Sequence, residues 1–346
     1  MVSDPPLCRV TISMTETGSE TMKAIVQDKF GSPDDLPELK EIDKPVAADD
    51  EVLVQVRAAT ARWAWDIPAG VRYIGRIVVG LRKPRNDVPG LEVAGQVEAV
   101  GENVSQFRPG DEVFGWCKGA LAEYVSVSED NVALKPANLT FAEAAVVPFS
   151  GFTALQGLRD KGQIRPGQKV LIIGASGGVG TFAVQIAKSF GAEVTGMCST
   201  KNLDLVRSIG ADHVIDYTQE DFTENGQRYD LILDMAGDHP LSDYRRAPRP
   251  RGTLVMVGSS GSTSGHLYLR GFGRWLQAFV LSATGRQRLR AFLQTRSKED
   301  LVFVKELIEA GKLTPVISAH YPLREVPQAI RHFEEGHAVG KVVVTV

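Results

Sequence analysis

The chain has 346 residues, 43% of them hydrophobic and 23% charged, and 39 Lys and Arg against 42 Asp and Glu leave a formal net charge of −3. At roughly 100 to 200 residues per domain this is two domains, with cores that need no disulfide or metal staple. Dispersed charge offers no concentrated basic face for nucleic acid, and no apolar run approaches the ~18 residues of a membrane span.

Residues 1–21 are polar and turn-rich, without the basic region and apolar core of a secretory signal, and read as a flexible tail. Cys8, Cys117 and Cys198 form no CxxC pair, so neither a disulfide framework nor a zinc ribbon can be drawn, and a reducing, cytoplasmic setting is expected. From Met22 to about residue 147 short strand-like runs dominate, at 22–31, 51–59, 92–101, 111–116 and 122–128. Gly and Pro punctuate them, notably in the turn Arg108-Pro109-Gly110-Asp111. After Leu139 the period changes: Thr140 caps a helix, with Glu143 in capping-box position. Apolar strand runs at 169–174, 193–198, 213–217, 231–237 and 253–258 then alternate with helical stretches at 181–191 and 203–211. That alternation predicts an α/β fold with a doubly wound parallel sheet covered on both faces. Two amphipathic helices, within 298–313 and 321–336, lead to a last strand at 341–346 that is expected to return to the first lobe. No internal repeat is visible.

The most informative segment is 169–188, a buried strand, the turn Gly174-Ala175-Ser176-Gly177-Gly178-Val179-Gly180 and a helix in immediate succession. Glycines allow the sharp turn and let main-chain N–H groups approach a pyrophosphate, whose charge suits the positive end of the following helix. Gly177, Gly178 and Gly180 are therefore expected to face either a dinucleotide or the helix packing; the plain alternative is an ordinary strand-to-helix turn. About 20 residues on, NAD binders place Asp or Glu on the ribose 2′-hydroxyl. This chain has Cys198-Ser199-Thr200-Lys201 there. Hydroxyls and an ammonium, with no carboxylate to repel a phosphate, favour NADP(H). The alternative is that Lys201 and Arg207 only solvate a helix face.

The turn followed by Gln185-Ile186-Ala187-Lys188, then Ile209 through Tyr217, resembles the zinc-free quinone oxidoreductase branch of the medium-chain dehydrogenase/reductases. The resemblance runs from Met22-Lys-Ala-Ile-Val to the final Gly340-Lys341-Val-Val-Val, through the Gly90-Leu91-Glu92, Arg108-Pro109-Gly110-Asp111 and Leu307-Ile308-Glu309-Ala310-Gly311-Lys312-Leu313 runs. It implies a GroES-like catalytic domain made of 22–147 and 297–346, with a Rossmann cofactor domain, 148–296, inserted and NADP(H) in the cleft between them. It also implies Ser176, Gly177, Gly178 and Val179 as pyrophosphate contacts, with Ser199, Lys201 and Tyr217 around the 2′-phosphate and adenine. Ala236 and Gly258 line the groove, and His337, Ala338 and Val339 lie near the nicotinamide. Tyr217 and His337 have alternative readings, as strand-end packing and as a surface residue.

Zinc-dependent relatives carry a GHE histidine where this chain has Leu91, an early cysteine where 59–62 has none, and a third ligand near 147–150, also without a donor. Catalytic Zn²⁺ needs three such ligands around an open position, so no metal is expected. Without a Lewis acid the expected acceptors are activated ones, a quinone or an α,β-unsaturated carbonyl, reduced by hydride from NADPH. Two other readings stay open: reduction of an enoyl thioester, and a non-catalytic NADPH-binding sensor or structural protein. The latter is motivated by 62–66, where Arg62 and Trp65 replace the Asn and Asp of close relatives. Tyr73 is a proton-donor candidate set against a packing role, and no catalytic residue is assigned. The apolar stretch 271–281 is either a wall for a bulky acceptor, a surface contact, or packing between domains. Relatives join homodimers through a strand near 290–294, so a homodimer is an expectation from the resemblance.

Overall fold

The computed structural model describes residues 20–27, 37–60, 88–236, 244, 247–257, 288–334 and 339–346. The first lobe is antiparallel. Strands β1 (Thr21–Val26) and β2 (Glu38–Asp43) form a ribbon beside a larger sheet containing β3 (Glu51–Thr60), β4 (Glu92–Val100), β5 (Glu112–Trp116), β6 (Tyr124–Ser128) and β7 (Val132–Leu134). β3 organises this sheet: β6 and β4 both pair with it. β2 escapes sequence reading because every residue of it is exposed or half exposed, leaving no alternation to detect. Only the partly buried β1 beside it makes it a strand. In the 108–111 turn Gly110 takes φ +96° and Asp111 N–H donates to the Arg108 carbonyl at 3.1 Å.

Helix α1 (Phe141–Ala145) carries the capping box, with Thr140 and Glu143 each bonding the other's backbone. α2 (Pro148–Leu155) follows, with Pro148 in its first turn, where the missing N–H costs nothing. The second lobe then runs β8 (Lys169–Ile173), α3 (Gly178–Ser189), β9 (Glu193–Cys198), α4 (Leu203–Ser208), β10 (His213–Asp216), β11 (Tyr229–Asp234), β12 (Pro248–Val257) and β13 (Arg288–Phe292). Its six described strands are all parallel, in the order β10-β9-β8-β11-β12-β13. Val170 to Ile173 have no exposure, as a strand covered on both faces requires. The chain winds outward from β8 in one direction and then from β11 in the other. The carboxyl end of β8 is therefore the switch point where such sheets take ligands.

α5 (Lys298–Glu309) starts at Ser297, whose side chain accepts from the Asp300 N–H. After β14 (Ile317–Pro322) and α6 (Val326–Glu334), β15 (Lys341–Thr345) pairs parallel with β14 and antiparallel with the end of β3, Val343 opposite Thr60. The last strand thus returns to the first lobe. One buried cluster spans both lobes, joining Ala58, Ala94 and Phe114 of the antiparallel sheet to Phe152, Leu155, Ile172 and Phe182. Continuous packing of this kind fixes how the two lobes sit against each other.

Candidate functional site

The glycine turn begins where β8 ends. Gly174 adopts φ +80°, and the N–H groups of Gly174 and Ala175 both donate to the Met197 carbonyl of β9, at 3.1 and 2.9 Å. The three glycines expected to matter do different jobs. A Cβ on Gly180 would stand 2.1 Å from the Gly174 carbonyl oxygen, so this glycine serves the packing of helix onto turn. A Cβ on Gly178 would meet Lys341 Cδ at 2.9 Å and the Gly340 carbonyl at 3.1 Å, so this one serves the contact with β15. Among the described residues, a Cβ on Gly177, the N-cap of α3, would meet only the Gly174 oxygen, at 3.4 Å. Open space above Gly177, together with the first N–H groups of a 12-residue helix, forms an anion cradle of the right chemistry for a pyrophosphate.

Strand register assembles the next part. Asp216 of β10 lies opposite Cys198 of β9, so Ser199 and Tyr217, one step beyond, stand side by side, and the Tyr217 N–H donates to the Cys198 carbonyl at 3.2 Å. Tyr217 is 56% exposed, which leaves its ring free to flank a ligand rather than fill a core. Lys201 is exposed and Ser199 half buried on the same shelf. Thr200 donates its hydroxyl to Asp216 Oδ2 at 2.5 Å, and Thr218 bonds Oδ1 through both its N–H and its hydroxyl. These donors, Thr200 first, hold the Asp216 carboxyl below its ordinary range. The Cys198 thiol is pushed up to about 11 by burial and then by the Asp216 charge, so it stays protonated at neutral pH. Asn202, to which no sequence motif points, donates its side-chain amide to Ser176 Oγ at 3.1 Å and Ser199 Oγ at 3.2 Å.

On the opposite wall, Gly340 N–H donates to the Ser176 carbonyl at 2.9 Å, which sets Val339 beside the turn, and Ala236 lies 3.8 Å from where a Gly174 Cβ would be. Behind that wall is a cluster only the fold brings together. The fully buried Glu92 carboxylate accepts from Thr60 Oγ1 at 2.8 Å, Phe149 N–H at 2.8 Å and Lys341 Nζ at 2.9 Å. Gly90-Leu91-Glu92 and Gly340-Lys341 were visible as runs in the sequence, but nothing in either run signals the other. This bears on zinc. Leu91 offers no donor atom, Glu92 is already engaged by three groups, and the buried Cys117 thiol is pushed up by burial and then by the Glu92 charge. Among the described residues no group of three or more His, Cys, Asp or Glu could hold a metal ion. The residues on this wall do not fit a catalytic zinc.

Of the expected site residues the structure brings together Ser176, Gly177, Gly178, Val179, Ser199, Lys201 and Tyr217 at the carboxyl ends of β8, β9 and β10, with Ala236 beyond the end of β11 and Val339 just before β15 beside them. Gly258, His337 and Ala338 lie outside the described residues, as do Tyr73, 62–66 and 271–281. No helix among the described residues is long and apolar enough to cross a membrane.

Two family models match: an alcohol dehydrogenase GroES-like domain over residues 48–137 and a zinc-binding dehydrogenase over 209–344. The mouse protein named NAD(P)H oxidoreductase RTN4IP1, mitochondrial, is 34% identical, over 97% of this chain and 92% of that protein. An Arabidopsis thaliana protein named NADPH-dependent alkenal/one oxidoreductase, chloroplastic, is 32% identical, over 97% of this chain and 82% of its own length. Among solved structures, a quinone oxidoreductase from Coxiella burnetii superposes with a TM-score of 0.80 at 28% identity, covering 94% of this chain and 100% of that one.

Proposed function

The chain belongs to the medium-chain dehydrogenase/reductase superfamily, and on that premise we propose that it is an NADPH-dependent, zinc-independent reductase of quinones or α,β-unsaturated carbonyl compounds. The observation that carries the reading is the open glycine turn at Gly177 set beside a shelf of Ser199 and Lys201, where a carboxylate would stand in an NAD binder. Names of similar proteins support the acceptor class: one is an alkenal/one oxidoreductase and one a quinone oxidoreductase.

When bound, reduced nicotinamide supplies the hydride to an electron-poor carbon of the acceptor. The chain's own part is binding and orientation. Ser176, Gly177, Gly178 and Val179 hold the diphosphate at the amino end of α3, Ser199 and Lys201 take the 2′-phosphate, and Tyr217 flanks the adenine. Ala236 would line the groove and Val339 would border the nicotinamide end, and the family resemblance assigns the same two roles to Gly258 and to His337 and Ala338, which lie outside the described residues. Leu91 and the fully engaged Glu92 support catalysis without zinc, so orientation rather than Lewis-acid polarisation lowers the barrier. We assign 22–147 with 297–346 to the catalytic domain and 148–296 to the cofactor domain; the tail expected over 1–21 ends short of Thr21, which already pairs with Asp43 in β1. Pairing of two copies through the edge strand near 290–294, where Leu293 is 76% exposed, gives a homodimer. The two free, buried thiols Cys117 and Cys198 suit a reducing compartment, which we take to be the cytoplasm.

The test is NADPH consumption against a panel of quinones, enones and enoyl thioesters, with and without a chelator. Turnover of quinones or enones that the chelator leaves unchanged is the expected result. Turnover of enoyl thioesters alone would move the assignment to a carrier-linked reductase, and tight coenzyme binding with no turnover on the whole panel would make the protein a sensor. A calorimetric titration silent for both NADPH and NADH overturns the reading altogether.

A further inference from the structure

The hydroxyl side chains that follow β8, β9 and β10, those of Ser176, Ser199, Thr200 and Thr218, are not equivalent. A hydroxyl has one proton to give and two lone pairs to accept with, so its partner on the protein decides which of the two it presents to a ligand. Thr200 gives its proton to Asp216 Oδ2. What it has left is acceptor capacity. Ser176 and Ser199 are in the opposite situation, because both oxygens accept from the side-chain N–H₂ of Asn202, at 3.1 and 3.2 Å. An amide nitrogen has two protons and no acceptor lone pair, so each serine keeps its own proton for something else. Asn202 is itself held, its main-chain N–H donating to the Ser199 carbonyl at 2.9 Å.

We propose that Asn202 is a positioning and specificity-determining residue: its amide presets Ser176 and Ser199 as outward hydrogen-bond donors, so that the site selects anionic phosphate oxygens at two points at once. The inference rests on the reading that this shelf binds NADPH, and it names the residue that makes two serines behave as phosphate ligands. Ionised phosphate oxygens only accept, and hydrogen bonds to charged groups are about twice as strong as neutral ones. A ribose hydroxyl, by contrast, both gives and takes, and gains little from a donor preset in one sense. Ser176 belongs to the glycine turn and would meet the diphosphate common to both coenzymes. Ser199 lies on the β9 shelf and would meet the 2′-phosphate that only NADPH carries. One side chain, reaching 26 residues back in sequence, therefore prepares both points.

The experiment measures Kd for NADPH and NADH by fluorescence titration of the full chain and of Asn202→Ala, Asn202→Asp, Ser199→Ala and the double variant Ser199→Ala with Asn202→Ala. Releasing both hydroxyls should raise the NADPH Kd about tenfold or more and the NADH Kd about threefold, the size expected when charge-assisted bonds lose their preset geometry. Asn202→Asp keeps the volume but takes the serine protons for itself, so its NADPH loss should exceed that of the alanine variant. In the Ser199→Ala background, Asn202→Ala should change the ratio of the two Kd values less than about twofold, because the hydroxyl responsible for selectivity is already gone. Equal losses for both coenzymes, additive effects in the double variant, or an unchanged ratio in Asn202→Ala would each overturn the proposal. A wild-type protein with no preference for NADPH would instead overturn the cofactor reading on which it stands.

Discussion

The shelf around Asn202 and the seam around Glu92 are neighbouring polar clusters that hold their groups in opposite ways. On the shelf, Asn202 bonds serines 3 and 26 residues away, and every member keeps some access to water. In the seam, Glu92 and Lys341 are 249 residues apart and shut away from solvent, with Thr60 and the Phe149 amide completing the carboxylate's hydrogen bonds. Charges taken out of water are stable only while fully paired, whereas half-exposed hydroxyls can exchange protein partners for solvent or ligand. The shelf can therefore be altered to change what binds, and the seam cannot be altered without disturbing how the two lobes fit. The clusters still touch: the Lys341 stem lies against Gly178, so the seam also props the turn on which the shelf depends.

The sharpest way to break the contrast is Lys341→Met, which leaves the Glu92 carboxylate buried without its cation. It should cost about 3–5 kcal/mol of stability in denaturant titration, the usual penalty for an orphaned buried charge, and Glu92→Gln combined with Lys341→Met should recover a large part of it. Gly180→Ala comes next. Its Cβ has main-chain atoms in the way and nothing flexible to displace, so about 1–3 kcal/mol of destabilisation is expected in thermal melts. Gly177→Ala is the control that sharpens the result: with room for its Cβ and only a poorer N-cap to α3 as its cost, it should lose less than about 1 kcal/mol while NADPH binding weakens, as calorimetry would record.

Changes confined to the shelf should move specificity and little else. Lys201→Glu should raise the NADPH Kd about 10- to 100-fold and leave NADH nearly unchanged, since one charge-assisted contact becomes a repulsion. The smallest effect is expected at Asp216. Its carboxyl is held below the ordinary value by Thr200 and then Thr218, so its contribution to stability is complete above that ordinary value and is lost as pH falls through the folded one. The stability difference between wild type and Asp216→Asn should therefore shrink as unfolding is measured from about pH 5 down to about pH 3. A difference that grows toward acid would contradict this assignment of the Thr200 and Thr218 bonds.

Local rules were enough wherever the physics is local. The strand, glycine turn and helix at 169–188 lie in one continuous run, and a carboxylate-free second strand end is a statement about four consecutive residues. Thr140 and Glu143 announce a helix start because a capping box closes within a single turn. β2 and β7 carry no such local signal: the first buries no alternating face and the second is three residues long.

Amino-acid order by itself determined the two-lobe α/β plan and the position of the glycine turn, because each follows from the chemistry of neighbouring residues. Folding alone decided that Lys341 would reach Glu92, that Gly178 would face β15 while Gly177 faces open space, and that Asn202 would point its amide at two serines. Those outcomes depend on which strands lie side by side and in what register, and distance along a chain says nothing about distance across a cleft.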